Sequence, residues 1–211
     1  MHFDALLLSR LQSGSVVALP VVFASLALGL AGYVAVLEGL WLTTRTEAFL
    51  NLRGLWAKAF LAVFAVALLA AGLGAVAGSG PTWAATASGS PYRPAQLVVS
   101  AFLASALAVG AFSAARLWKD PKEVESCLAL KMAIGMLVIC APMEIAMGDG
   151  MRPRLIIGVA TAALLLGLWG GLLIWRGAPE RSRPFLAACV LMGPLAVLMP
   201  IAEWVGGGLA S

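Results

Sequence analysis

Few side chains in this sequence can do chemistry, and they are widely spaced. Its one histidine, His2, stands ahead of every long apolar stretch. Membrane redox proteins usually hold haem iron with histidine, sometimes with methionine, so no pair of histidines can clamp a haem within the apolar part of the chain. Methionine and cysteine offer a second chemistry. Met132, Met136, Cys140, Met143, Met147 and Met151 follow one another at spacings of 4, 4, 3, 4 and 4, which puts all six on one face of a helix. Thioethers and thiols suit Cu(I), with Met132, Met136, Cys140 and Met143 as the ligand set. Methionine also fills irregular gaps between packed helices. Packing is the expected role, with no resident metal. Cys127, Cys140 and Cys189 show no metal-type spacing and read as inert buried thiols.

Charges within apolar stretches are costly and therefore informative. Glu38, Glu144 and Glu203 each lie toward the end of an apolar run, on different runs, and form no evident proton wire. Lys58 and Lys131 stand about two turns inside theirs, where a lysine can snorkel to the interface.

These residues are positioned by long apolar segments. The chain has 211 residues, 62% of them hydrophobic and 11% charged, with a net charge of +4. A soluble domain of this size could not hide that much apolar surface, and the scattered charge does not suggest nucleic-acid binding. The expected fold is all-α, a single transmembrane domain over residues 1–211 with about six membrane-spanning helices. A short interfacial helix is expected over residues 3–12. The spans are expected at about 16–43, 48–76, 95–117, 124–147, 154–175 and 184–205. Only helices satisfy their own backbone hydrogen bonds at these lengths in lipid. No small-residue cleavage site precedes the first span, so the N-terminus does not read as a cleaved signal.

Residues 78–94, rich in Gly, Ser and Pro, form the one extended loop. Basic residues set the orientation. Arg45, Arg53, Lys58, Arg116, Lys119, Lys122, Lys131, Arg176, Arg181 and Arg183 flank one set of loops, against Arg10, Arg93, Arg152 and Arg154 on the other. Ten against four places the first set in the cytoplasm and both termini outside. Small residues are frequent in the spans and allow close helix approach, within the bundle or against other subunits.

Several of these residues follow a known pattern. Ser9-Arg10-Leu11-Gln12, Leu28-Gly29-Leu30, Glu38 and Trp56-x-Lys58-x-Phe60 resemble the first two helices of subunit I of cytochrome bd quinol oxidase. Pro194, Leu195, Glu203 and Trp204 resemble that family's late helix, and Arg154 the arginine that opens the helix before it. The resemblance implies a location in the bacterial inner membrane. It also exposes departures. Counted from Leu8, the family's high-spin haem histidine falls at Pro20. The low-spin haem histidine falls at Gln96, its methionine partner at Ile156, and the glutamate near haem d at Gly208. None of these is a serviceable iron ligand, so no haem is expected. The family's long quinol-binding loop is reduced to Gly148 to Pro153.

The expectation is a non-catalytic integral membrane subunit of a respiratory or electron-transfer complex, not an enzyme on its own. It would anchor or stabilise redox partners, cytochrome or iron–sulfur subunits among them, with quinone or lipid as the small molecules it could touch. Arg10, Gln12, Glu38, Trp56, Lys58, Arg154, Glu203 and Trp204 are the candidate structural or quinone-contact residues. Two alternatives stay open: a haem- or quinone-binding subunit with unusual ligands, and a small Cu(I) or solute transporter.

Overall fold

The computed structural model describes residues 3–76, 93–147, 154–177 and 182–198. Among these residues every regular element is a helix: α1 (Phe3–Thr44), α2 (Glu47–Val76), α3 (Arg93–Lys119), α4 (Val124–Ala146), α5 (Arg154–Trp175) and α6 (Arg183–Met192). The first five contain stretches long and apolar enough to cross a membrane. The protein is a multi-pass membrane helix bundle.

The structure differs from the sequence expectation at the N-terminal end. The interfacial helix expected over residues 3–12 is not a separate element. It runs on into the first span as one helix of 42 residues, about 63 Å at the usual rise and so far longer than a ~30 Å hydrocarbon core. Gly14 is the weakest helix former at the expected junction, and a lone glycine costs only about 1 kcal/mol. Pro20 also lies within the continuous helix. At the other end, apolar helix runs over Arg183–Leu198 within the span expected over 184–205, with one tightened turn at Gly193-Pro194. Pro194 has no N–H to donate to Val190, and the backbone tightens there through Gly193 N–H to Val190 O and Ala196 N–H to Gly193 O. Helix resumes over 195–198, and residues 199–205 lie outside the described residues.

The connections are tight. Arg45 adopts a left-handed φ of 54° and still donates its N–H to Trp41 O, closing α1 before α2 starts two residues later. Asp120 and Pro121 break the chain between α3 and α4, with Asp120 Oδ1 accepting the Lys122 N–H. Gly177, at φ 85°, ends α5.

α3 is the central helix, packing on α1, α4 and α6. Its buried positions are largely small: Ser100, Ala101, Ala104, Ser105, Ala106 and Ala114. The closest approach is to α1. A Cβ on Gly29 would stand 1.9 Å from Ser105 Oγ and 2.3 Å from Ala101 O, and one on Gly32 would stand 2.2 Å from the Phe102 ring. Small side chains let the backbones meet, which is how helices associate where lipid is as apolar as leucine. α2 packs chiefly on α1 and lightly on α4, while α5 packs on α4.

Candidate functional site

The polar residues gather at two levels of the bundle. The first is the α1–α2 hairpin. Helices joined by two residues run antiparallel, so residues equally far from the turn share a level. Glu38 and Arg53 do so, and Arg53 Nη1 lies 2.5 Å from Glu38 Oε2. Trp41, one turn after Glu38, is flanked by two guanidinium groups, Arg45 at 5.2 Å and Arg53 at 5.9 Å from the ring centroid. Both sit within cation–π range.

One to two turns further into the bundle, four helices meet at an aromatic junction. Trp56 of α2 stacks edge-on against Tyr33 of α1 at 5.7 Å and Phe112 of α3 at 5.6 Å. Tyr33 donates its hydroxyl to the backbone oxygen of Ala129 on α4 at 3.4 Å. Tyr33 and Trp56 are buried, whereas Phe112 is half exposed at 49%. The Trp56 indole nitrogen is buried with no hydrogen-bond partner among the described residues. Phe112 continues the aromatic line to Arg116, which caps its ring and pairs with Glu123 at 2.8 Å.

The second level lies at the opposite end of α3 and α4. Glu144 is fully buried, and the Ser100 hydroxyl donates to its Oε1 at 3.0 Å. The pair ties the start of α3 to the end of α4.

The methionine face of α4 borders its buried face. Met132 and Met136 pack against the Tyr33–Trp56 cluster, and Met136 with Cys140 against the larger core of α3, α4, α5 and α6. Met143 is exposed. Met136 thus bridges two cores, as a flexible gap filler does.

Of the other candidates, Lys58 is exposed on α2. Arg10, Gln12 and Pro20 lie in α1, Gln96 in α3, and Arg154 opens α5, but their side chains lie outside the described residues. Glu203, Trp204 and Gly208 lie outside them altogether. Ile156 is 1% exposed within the larger hydrocarbon core.

Haem iron needs a lone pair on a nitrogen or sulfur donor aimed at it. The Pro20 ring nitrogen is tied into an amide, and Ile156 is pure hydrocarbon packed among side chains. A void lined by Ala106, Gly110, Ala133, Ile134, Leu166 and Cys189 measures about 10 Å³, room for roughly one water. Neither Pro20 nor Ile156 offers haem iron a ligand.

Reading the residues one by one missed the partners. Arg53 was legible in principle, because the two-residue turn fixes which residue stands level with Glu38. Tyr33, Phe112 and Ser100 carry no local signal, since their contacts depend on how α3 is placed.

Residues 8–86 match the sequence model of the family "Cytochrome bd terminal oxidase subunit I". No curated protein and no solved structure matches the chain. The matched segment takes in most of α1 and all of α2, and with them Glu38, Arg53, Trp56 and Lys58. Over residues 8–86, about a third of its length, the chain is similar to the cytochrome bd terminal oxidase subunit I family.

Proposed function

We propose that this protein is a non-catalytic integral membrane subunit of a respiratory or electron-transfer complex, holding redox-active partner subunits in place. The observation that carries the reading is a contrast within the matched segment. Of the residues that resemble the family pattern, Glu38 is built into the hairpin and Trp56 into the aromatic junction. The position that the resemblance assigns to a haem-ligating histidine holds Pro20. A framework kept without its iron ligand supports a scaffold rather than a centre of electron transfer. The step from family to role is an analogy of fold, so it needs a direct test.

Quinone contact belongs to the same proposal. The Trp56–Phe112 side of the junction offers flat aromatic surface that reaches the outside of the bundle at Phe112. Its place on this chain would be there rather than at a long hydrophilic loop.

The test is a pyridine haemochrome spectrum of the gently purified assembly and of the chain stripped from it. Haem in the partner fraction and none in the stripped chain is the expected result. Haem retained by the stripped chain overturns the reading, and the methionines of α4 then become the first residues to replace.

A further inference from the structure

The glycines of α1 and α2 fall into two groups. Gly29 and Gly32 are required by the close approach of α3, whereas Gly54 and Gly72 have nothing within 4 Å of where a Cβ would stand. Packing among the described residues therefore makes no use of these two. They belong to a row on α2, Gly54, Lys58, Leu61, Ala65, Leu68 and Gly72, at spacings of 4, 3, 4, 3 and 4. That alternation draws a straight seam along a helix, the spacing at which a second helix packs. The opposite face of α2, with Leu52, Trp56 and Ala67, is the one buried. On the seam, Lys58, Leu61, Ala65, Leu68 and Gly72 are all exposed. α2 is the least covered of the spanning helices, 17% buried against 67% for α3.

Lipid alone would satisfy Leu61 and Leu68, whereas Lys58 must either snorkel toward the interface or meet an opposite charge at its own depth. This lysine lies five residues beyond Arg53, about 7 Å deeper along the helix axis. It enters no ion pair or hydrogen bond among the described residues. On a seam of small side chains, a carboxylate at the same depth would hold the lysine in place. Among the described residues, a second copy of this chain does not supply one. Two α2 seams would set Lys58 near Lys58. Of the described acids, Glu47, Asp120, Glu123 and Glu125 stand at helix ends, Glu38 is taken by Arg53 and Glu144 is buried.

We infer that the Gly54–Gly72 seam of α2 is the docking surface for a transmembrane helix of a different chain, and that a carboxylate on that helix pairs with Lys58. This rests on the reading of the protein as a subunit and names the face through which it assembles.

The test uses native membranes holding the whole assembly, treated with a membrane-permeant carbodiimide. The reagent activates carboxyl groups in the apolar phase, and a lysine amine in contact captures the activated group as an amide. Peptide mass spectrometry should show Lys58 joined to an Asp or Glu within an apolar segment of another chain. Lys58→Met should abolish that link and deplete the linked chain from the assembly at least about tenfold, the effect of ~1.4 kcal/mol. Lys58→Arg should keep the assembly, though a guanidinium will not form the link. Since Lys58 has no ion-pair or hydrogen-bond partner among the described residues, Lys58→Met should leave the melting temperature of the isolated chain unchanged. A link to a second copy, or no link together with an intact Lys58→Met assembly, overturns the docking surface and leaves the subunit reading standing. A wild-type chain that migrates alone in mild detergent overturns both.

Discussion

Arg53 on α2 and Glu38 on α1, 15 residues apart in the chain, meet across the hairpin with Nη1 2.5 Å from Oε2. Both side chains are about a third exposed, at 35% and 39%, so solvent weakens the pair. A double-mutant cycle over Glu38→Gln and Arg53→Ala should give a coupling of roughly 0.5–1 kcal/mol, shrinking as salt is raised. Arg53→Lys should keep the charge but lose the planar contact with Trp41, and so fall between wild type and alanine in thermal unfolding.

Gly29 and Gly54 should respond oppositely to the same change. Gly29→Ala drives a Cβ into Ser105 Oγ and the Ala101 carbonyl, and overpacking of this kind costs about 1–3 kcal/mol. Adding Ser105→Gly should recover only part of the loss, because the backbone oxygen remains in the way. Gly54→Ala meets open space and should leave the isolated chain as stable as before, or more stable by about 0.4–1 kcal/mol. Melting temperatures of the purified variants decide the matter.

Trp56 should matter for its ring and not for its N–H. Trp56→Phe keeps an aromatic face between Tyr33 and Phe112 and removes a donor that has no acceptor among the described residues. Its cost should stay within about 1 kcal/mol, because removing an unsatisfied donor offsets lost area. Trp56→Ala should cost about 3–5 kcal/mol. Denaturation followed by the fluorescence of the remaining tryptophans would compare the two.

Ser100 should be less replaceable than the charge of Glu144. Glu144→Gln keeps a carbonyl oxygen able to accept from the Ser100 hydroxyl and should unfold within about 1 kcal/mol of wild type. Ser100→Ala withdraws a donor from a buried carboxyl group, at a cost of about 1–3 kcal/mol. If Glu144→Gln proves the more damaging, the carboxyl does more than tie α3 to α4.

The methionine face offers a check on copper. Replacing Met132, Met136 and Met143 together by leucine roughly conserves volume and should cost under about 1.5 kcal/mol per site. The copper content of the purified protein, measured after exposure to Cu(I), should be unchanged. A loss of bound copper would restore the metal-handling alternative.

Much of the architecture was readable before any coordinates. Length and apolar runs identify membrane helices because lipid forces each span to satisfy its own backbone. The tight turns at Arg45 and at Asp120-Pro121 follow from chain chemistry local to each. The ends were less readable. Whether Gly14 breaks a helix depends on the balance of neighbours over several turns, and here it does not. Pro194 marked a matched motif in the sequence, and in the backbone it tightens one turn of the helix that carries it.

The sequence by itself determined that this is an all-helical membrane protein and where its charges fall along each helix. It also carried the first-helix pattern of an oxidase subunit, with Pro20 where the resemblance calls for a histidine. These are properties of single segments, read by period and type. Only the tertiary structure decided which of them meet. It made α3 the central helix, brought Phe112 to Trp56 and Ser100 to Glu144, and left the Lys58 seam of α2 uncovered. Hydropathy says that a residue is apolar, not which neighbour covers it. That choice rests on how closely small side chains such as Gly29 and Ser105 let two backbones approach, and it is settled only when all the helices pack together.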